Sequence, residues 1–164
     1  MTSRIDYCNA VLAKTPKVTT DKLQRVMNAA ARVVSDTRKF DRGLSQLLHE
    51  ELHWLDVPQR IEYKLSVMVH CCRYGSAPQY FKECCTSLAD VAGRQHLRSA
   101  RRQLMDVPRF RRSTFGRRAF SVAGPTVWNS LSNTLREQSD EDSFKRQLKT
   151  FLFSRTSGLA YPAH

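Results

Sequence analysis

Nine arginines fall within residues 92–118 of this 164-residue chain, against one acid, Asp106, and no lysine. A run with a net charge of +8 is ordinarily solvated surface. The core therefore has to come from the segments on either side of it. The arginines are Arg94, Arg98, Arg101, Arg102, Arg109, Arg111, Arg112, Arg117 and Arg118. Elsewhere the charge is nearly balanced: 13 basic and 10 acidic side chains in residues 1–91, five and four in residues 119–164. Two thirds of the formal +12 thus lies in one sixth of the length.

An all-arginine excess narrows the partner. The guanidinium is a planar five-donor fork that grips phosphate bidentately and stacks on bases, whereas lysine offers a point charge. Nucleic acid suits this chemistry best. Two plainer readings stand beside it: a solvated structural face, and a basic stretch that meets anionic lipid or serves as a nuclear address. Phe110 and Phe115 are interleaved with the arginines. Either can stack on a base or anchor the segment to the body. Core anchoring is expected for Phe115, and both roles stay open for Phe110.

The flanking segments read as helices. Ile5, Cys8, Val11 and Leu12 recur at helical spacing until Pro16 stops the element. Thr20 offers an N-cap to a helix over about residues 21–35, with an apolar stripe of Leu23, Val26, Met27, Ala30, Val33 and Val34. A shorter amphipathic piece after Gly43 carries Leu44, Leu47, Leu48 and Leu52. Asp56 caps the next helix, with Pro58 in its first turn, a stripe of Ile61, Leu65, Met68, Val69 and Cys72, and Gly75 at its end. Pro78 opens a short helix through Tyr80, Phe81 and Cys84.

Residues 86–114 lose the helical period, and Leu104, Met105 and Val107 suit a short extended piece. Helical pattern resumes near Arg117. Pro125 either kinks one helix or begins another that contains Val127, Trp128 and Leu131. Asp140, Glu141 and Asp142 crowd the start of a last helix with Phe144, Leu148, Phe151 and Leu152 inward and Lys145, Arg146 and Lys149 outward.

Chemistry of its own is not expected. His49-Glu50-Glu51-Leu52-His53 matches the zinc-protease pattern literally, yet a protease would need a third ligand and an exposed cleft, and the segment is barely two turns long before Asp56 and Pro58. Cys71-Cys72 and Cys84-Cys85 are adjacent pairs, which a single ion reaches awkwardly, so the five cysteines read as small buried packing residues. An odd cysteine count and the absence of a basic-then-apolar leader argue against disulfides. There is no Asp-Asp pair, no Gly-rich phosphate loop and no Gly-x-Ser-x-Gly elbow. No metal or cofactor is expected.

Ordered short strings carry a family likeness. They are Asp6-Tyr7-Cys8-Asn9, Leu23-Gln24-Arg25-Val26, Asn28-Ala29-Ala30-Ala31-Arg32, Leu52-His53-Trp54-Leu55, Arg60-Ile61-Glu62-Tyr63-Lys64 and Ala77-Pro78 with Tyr80. Leu97-Arg98-Ser99, Val107-Pro108-Arg109, Arg118-Ala119-Phe120-Ser121, Trp128-Asn129-Ser130-Leu131, and Phe144 with Leu148-Lys149-Thr150 and Leu152-Phe153 follow. Over about residues 3–153 the chain resembles the C-terminal region of non-LTR (LINE-type, jockey-like) retrotransposon reverse transcriptases. Asp56 and Ser132 stand where that family usually has Pro, and Gly124 where it has Ala. The resemblance implies an RNA-directed DNA polymerase whose catalytic palm lies upstream, so this chain is expected to be a fragment without the palm aspartates. It transfers no catalytic residue.

The expected class is mainly α: a small helical bundle with an irregular arginine-rich segment and room for a short extended piece. One domain is expected, with a helical part at 1–85, the arginine segment at 86–116, a second helical part at 117–153 and a loose tail at 154–164. The expected function is non-catalytic binding of RNA or DNA through the nine arginines. The alternative is a structural or protein-contact module of the polymerase, detached from it. Partners are then nucleic acid and the upstream polymerase domains, with no membrane and no small-molecule substrate. Cellular location stays open between nucleus and cytoplasm.

Overall fold

A computed structural model describes residues 6–38, 41–93, 102–111 and 116–156. The chain is mainly helical. Among the described residues seven named α-helices follow in order: α1 (Lys17–Ser35), α2 (Leu44–Gln46), α3 (Val57–Tyr74), α4 (Gln79–Lys82), α5 (Phe120–Asn129), α6 (Asn133–Arg136) and α7 (Glu141–Thr156). Two 3-10 turns, Asn9–Leu12 and Gly116–Arg118, and a π-helical turn, Leu47–Glu51, complete the described elements. No helix among the described residues is long and apolar enough to cross a membrane.

α3 is the hub. It packs against α1, α5, α7 and the first 3-10 turn, because it buries residues around much of its circumference: Ile61, Leu65, Ser66, Val69, His70 and Cys72. Pro58 sits in its first turn, where a missing N–H costs nothing, and Gly75 ends it at φ 91°, a left-handed conformation open to glycine. One cluster joins Val69 of α3 to Met105, Trp128, Leu135, Phe144, Leu148 and Leu152. A second joins Ile61 and Leu65 to Met27, Ala123 and Val127. Gly124 lets α5 lie close to α3, since a Cβ there would stand 3.0 Å from Val69 Cγ2.

Several expectations change in the folded chain. Of the first expected element Ile5 lies outside the described residues, and from Cys8 on the described part holds a 3-10 turn, Asn9–Leu12, in place of a continuous helix. Cys8 and Lys14 both take positive φ, and Val11 faces solvent while Asn9 and Ala13 are buried. α1 begins at Lys17 with Pro16 as its cap position, and Thr20 lies inside, its hydroxyl donating to the Lys17 carbonyl at 2.9 Å. Its buried face is Thr20, Met27, Ala30 and Ala31. Val26, Val33 and Val34 of the expected stripe are 57%, 80% and 60% exposed. The small alanines allow close approach of Leu47 and Leu48, which share a cluster with Ala31, and that contact turns the helix away from its valines.

The Asp56 cap also differs. Asp56 occupies the N-cap position of α3, but its side chain bonds no amide of that helix. Gln24 of α1 caps it instead. Its Oε1 accepts from the Val57 amide at 2.9 Å and its Nε2 donates to Asp56 Oδ1 at 3.0 Å. Pro125 lies within a single helix, α5, and removes the donor that the Ser121 carbonyl would otherwise have. α7 starts as expected, with Asp140 Oδ2 accepting from the Ser143 amide at 2.8 Å and Glu141 paired to Lys145 at 2.6 Å. Ser154, Arg155 and Thr156, placed in the loose tail by pattern, are helical. Residues 157–164 lie outside the described set.

Candidate nucleic-acid interface

The middle of the arginine segment is held down by the helical body. Trp128 Nε1 donates to the Gln103 carbonyl at 2.9 Å. The Asn129 amide grips the Met105 backbone at both ends, its Oδ1 accepting from the amide and its Nδ2 donating to the carbonyl, each at 2.9 Å. Met105 itself is 2% exposed. On its other edge this strip forms an isolated antiparallel bridge, Ser87 to Met105. The Leu88 amide donates to the Leu104 carbonyl at 3.0 Å and the Asp106 amide to the Thr86 carbonyl at 2.8 Å. The extended piece expected at Leu104, Met105 and Val107 is therefore reduced to one bridge.

A buried arginine outside the block completes the mounting. Arg136 of α6 is 4% exposed. Its Nε donates to the Arg102 carbonyl at 3.0 Å and its Nη1 to the Asn129 carbonyl at 3.2 Å. The Leu131 carbonyl and Asn133 Oδ1 take further bonds from the same guanidinium. Burial pulls its pKa below the usual arginine value, helped by the nearby Arg102 charge and opposed by Glu137. A fork that meets oxygens from three stretches of chain is work that lysine could not do.

Pinning residues 103–106 divides the block into stretches before and after the strip. Of the nine arginines, Arg94, Arg98, Arg101 and Arg112 lie outside the described residues, as does Phe115. Arg102, Arg109, Arg111 and Arg117 are exposed. Arg118 is half-buried, and its Nη2 donates to the Val11 carbonyl at 3.3 Å. Among the described residues no ion pair joins these five to a carboxylate. In particular none reaches Glu137, Asp140 or Asp142. Phe110 is 40% exposed, its Cβ packs on Gly116, and the Arg117 guanidinium stands 5.8 Å from its ring centre. It is thus part anchor and part exposed ring.

The histidine string does not form a ligand pair on a helix. The π-helical turn ends at Glu51, and His53 lies beyond it at φ 49° with its Nδ1 3.2 Å from the His49 carbonyl. His49 Nε2 instead faces Asp56 Oδ2 at 3.4 Å. Among the described residues no group of three or more His, Cys, Asp or Glu side chains is placed to hold a metal ion. All five cysteines are free thiols. Cys72 is buried, Cys71, Cys84 and Cys85 are half-buried, and Cys8 is exposed, contrary to a packing role for it. Burial, with Cys72 alongside, pushes the Cys85 thiol pKa well up, so it stays protonated.

Two features escaped the sequence reading. Arg136 counted only as one more basic residue, and nothing in its spacing signals that it is buried. The other is a cleft of about 460 Å³ around Trp54, between the start of the described chain, α3 and α7. Its only signal was a charged and aromatic run on α3, Arg60 to Lys64, beside the Leu52-His53-Trp54-Leu55 string. No family model matches this chain, nor does any curated protein or solved structure.

Proposed function

We propose that this chain is a non-catalytic helical module that binds RNA or DNA through its arginine-rich segment, an accessory part of a LINE-type reverse transcriptase. One observation carries the reading. Four of the five described arginines of the block are exposed, and none of the five has a carboxylate partner among the described residues. Guanidinium groups that stay solvated and unneutralised keep their full attraction for phosphate. The strip at residues 102–106, fixed to Trp128, Asn129 and Arg136, gives those side chains a firm base. Phosphate contacts position a strand without reading it, so little sequence preference is expected. The link to the polymerase rests on the ordered strings alone.

Fluorescence anisotropy of short labelled RNA and DNA strands tests it. The reading expects sub-micromolar binding at low salt that Arg109→Ala, Arg111→Ala and Arg117→Ala together abolish or strongly weaken. No binding by a folded, cooperatively melting sample contradicts it.

A second reading, a module that contacts other protein, draws on α1. Val18, Val26 and Val33, on one side of that helix, are 67%, 57% and 80% exposed. Apolar side chains left out in a row mark contact surfaces. Under this reading the anisotropy experiment gives nothing, and the exposed valines drive self-association instead.

A further inference from the structure

The cleft around Trp54 combines features that plain surface rarely brings together. Asp6 and Asn9 line it from the start of the described chain, Trp54 from the loop before α3, Arg60 and Lys64 from α3, and Lys149 from α7. Its volume of about 460 Å³ is that of an ordinary small-ligand site. Arg60 is spoken for: its Nη1 meets both oxygens of Asp6, at 2.9 and 2.8 Å, and its Nε donates to the Leu55 carbonyl at 2.8 Å. It stands 6.0 Å from the Trp54 ring centre. The ring is therefore held beside a fixed cation, half-buried against the core, and lines the cleft.

Two further cations remain. Lys64 and Lys149 are exposed, and neither has a carboxylate partner among the described residues. Asn9 lines the same cleft while only 4% exposed, and its Oδ1 has no hydrogen-bond partner among the described residues. A buried amide oxygen without a donor is costly, and a ligand with N–H groups would satisfy it. An anionic group, a flat ring and N–H donors belong together in one common chemistry, the nucleotide.

We propose that this cleft binds a single unpaired nucleotide, its base against Trp54 and Asn9 and its phosphate on Lys64 and Lys149. An acidic peptide would use the lysines but leave the indole face and the buried amide without purpose. Base–aromatic stacking tolerates any base, whereas the amide favours one that presents N–H. The site deepens the nucleic-acid reading, as a pocket for one splayed base of a strand held by the arginines, yet it can be tested without a strand.

Nucleoside monophosphates titrated against tryptophan fluorescence are the direct probe. Trp128 is fully buried, so quenching reports Trp54. Saturable quenching at sub-millimolar concentration is expected. It should weaken at least tenfold with the bare nucleoside, and equally with the Lys64→Ala, Lys149→Ala double variant, whose exposed positions leave folding intact. Calorimetry with Trp54→Leu should show binding lost while the melting transition persists. Non-saturating quenching, an unaffected lysine variant, or inorganic phosphate binding as tightly as the nucleotide would overturn the proposal. Strand binding that persists in the lysine variant while mononucleotides fail to bind rejects this pocket alone. Mononucleotide binding without strand binding rejects the arginine interface alone.

Discussion

Arg136 shows how one side chain can organise a surface it does not join. Its guanidinium is buried and meets four oxygens, on Arg102, Asn129, Leu131 and Asn133. Arg136→Ala leaves those acceptors without donors and is expected to destabilise the protein by about 3 kcal/mol, read as a lower urea midpoint. Arg136→Lys should recover little of that loss. His70 makes a second prediction. It stacks on Phe144 with ring centres 4.3 Å apart, and its Nε2 donates to the Gln138 carbonyl at 3.0 Å, so Nδ1 is the bare nitrogen, without a partner among the described residues. Burial pulls its pKa down, Lys145 and Arg73 add to that, and the Gln138 bond and Glu141 oppose it. The unfolded chain therefore takes the proton first. Stability from this group is full above about pH 6.5 and declines as pH falls below it, by about 1.4 kcal/mol for each unit separating the two pKa values. Melting temperatures measured from pH 7 to pH 5 should fall more steeply for the natural protein than for His70→Gln. Equal slopes would remove His70 from the account.

At the scale of elements, the junction of α1 with α3 is built by Gln24. Its amide receives the Val57 N–H and donates to Asp56, capping one helix from another. Gln24→Ala is expected to cost about 1 kcal/mol, as the loss of a helix cap does, and to speed amide exchange at Val57. Unchanged exchange there would contradict the cap. Much of α3 was legible in the sequence because its signals are local: Pro58 near the start, apolar residues at helical spacing, Gly75 at the end. α1 was legible as a helix, and its orientation in part. Met27 and Ala30 of the expected stripe are buried and Leu23 packs beside Met27, but Val26, Val33 and Val34 are not, because packing selects small Ala31 against Leu47 and Leu48. The first element misled for a related reason. Its spacing fits a helix, but Cys8 and Lys14 turn the backbone left-handed, and no residue type at those positions announces it.

Across the whole molecule, the arginine segment and the helical body depend on each other. The body buries Met105 and holds the strip at 103–106, and that strip in turn covers Trp128 and occupies the Asn129 amide. The arginines were plain in the sequence, since charge density needs no fold to be seen. Their mounting was not, because side chains bonded to distant backbone carbonyls leave no spacing pattern. The same holds for the cleft, whose walls come from positions as far apart as Asp6 and Lys149. The central claim is that phosphate contacts by the arginines dominate binding, and its most direct measurement is affinity for a labelled single strand as a function of salt. If about six arginines engage phosphates, log affinity falls against log salt with a slope near −4, at about 0.7 for each contact. Changing Arg109, Arg111 and Arg117 together to Ala should flatten that slope by about two. An affinity indifferent to salt, or a slope the triple variant leaves unchanged, would contradict the account.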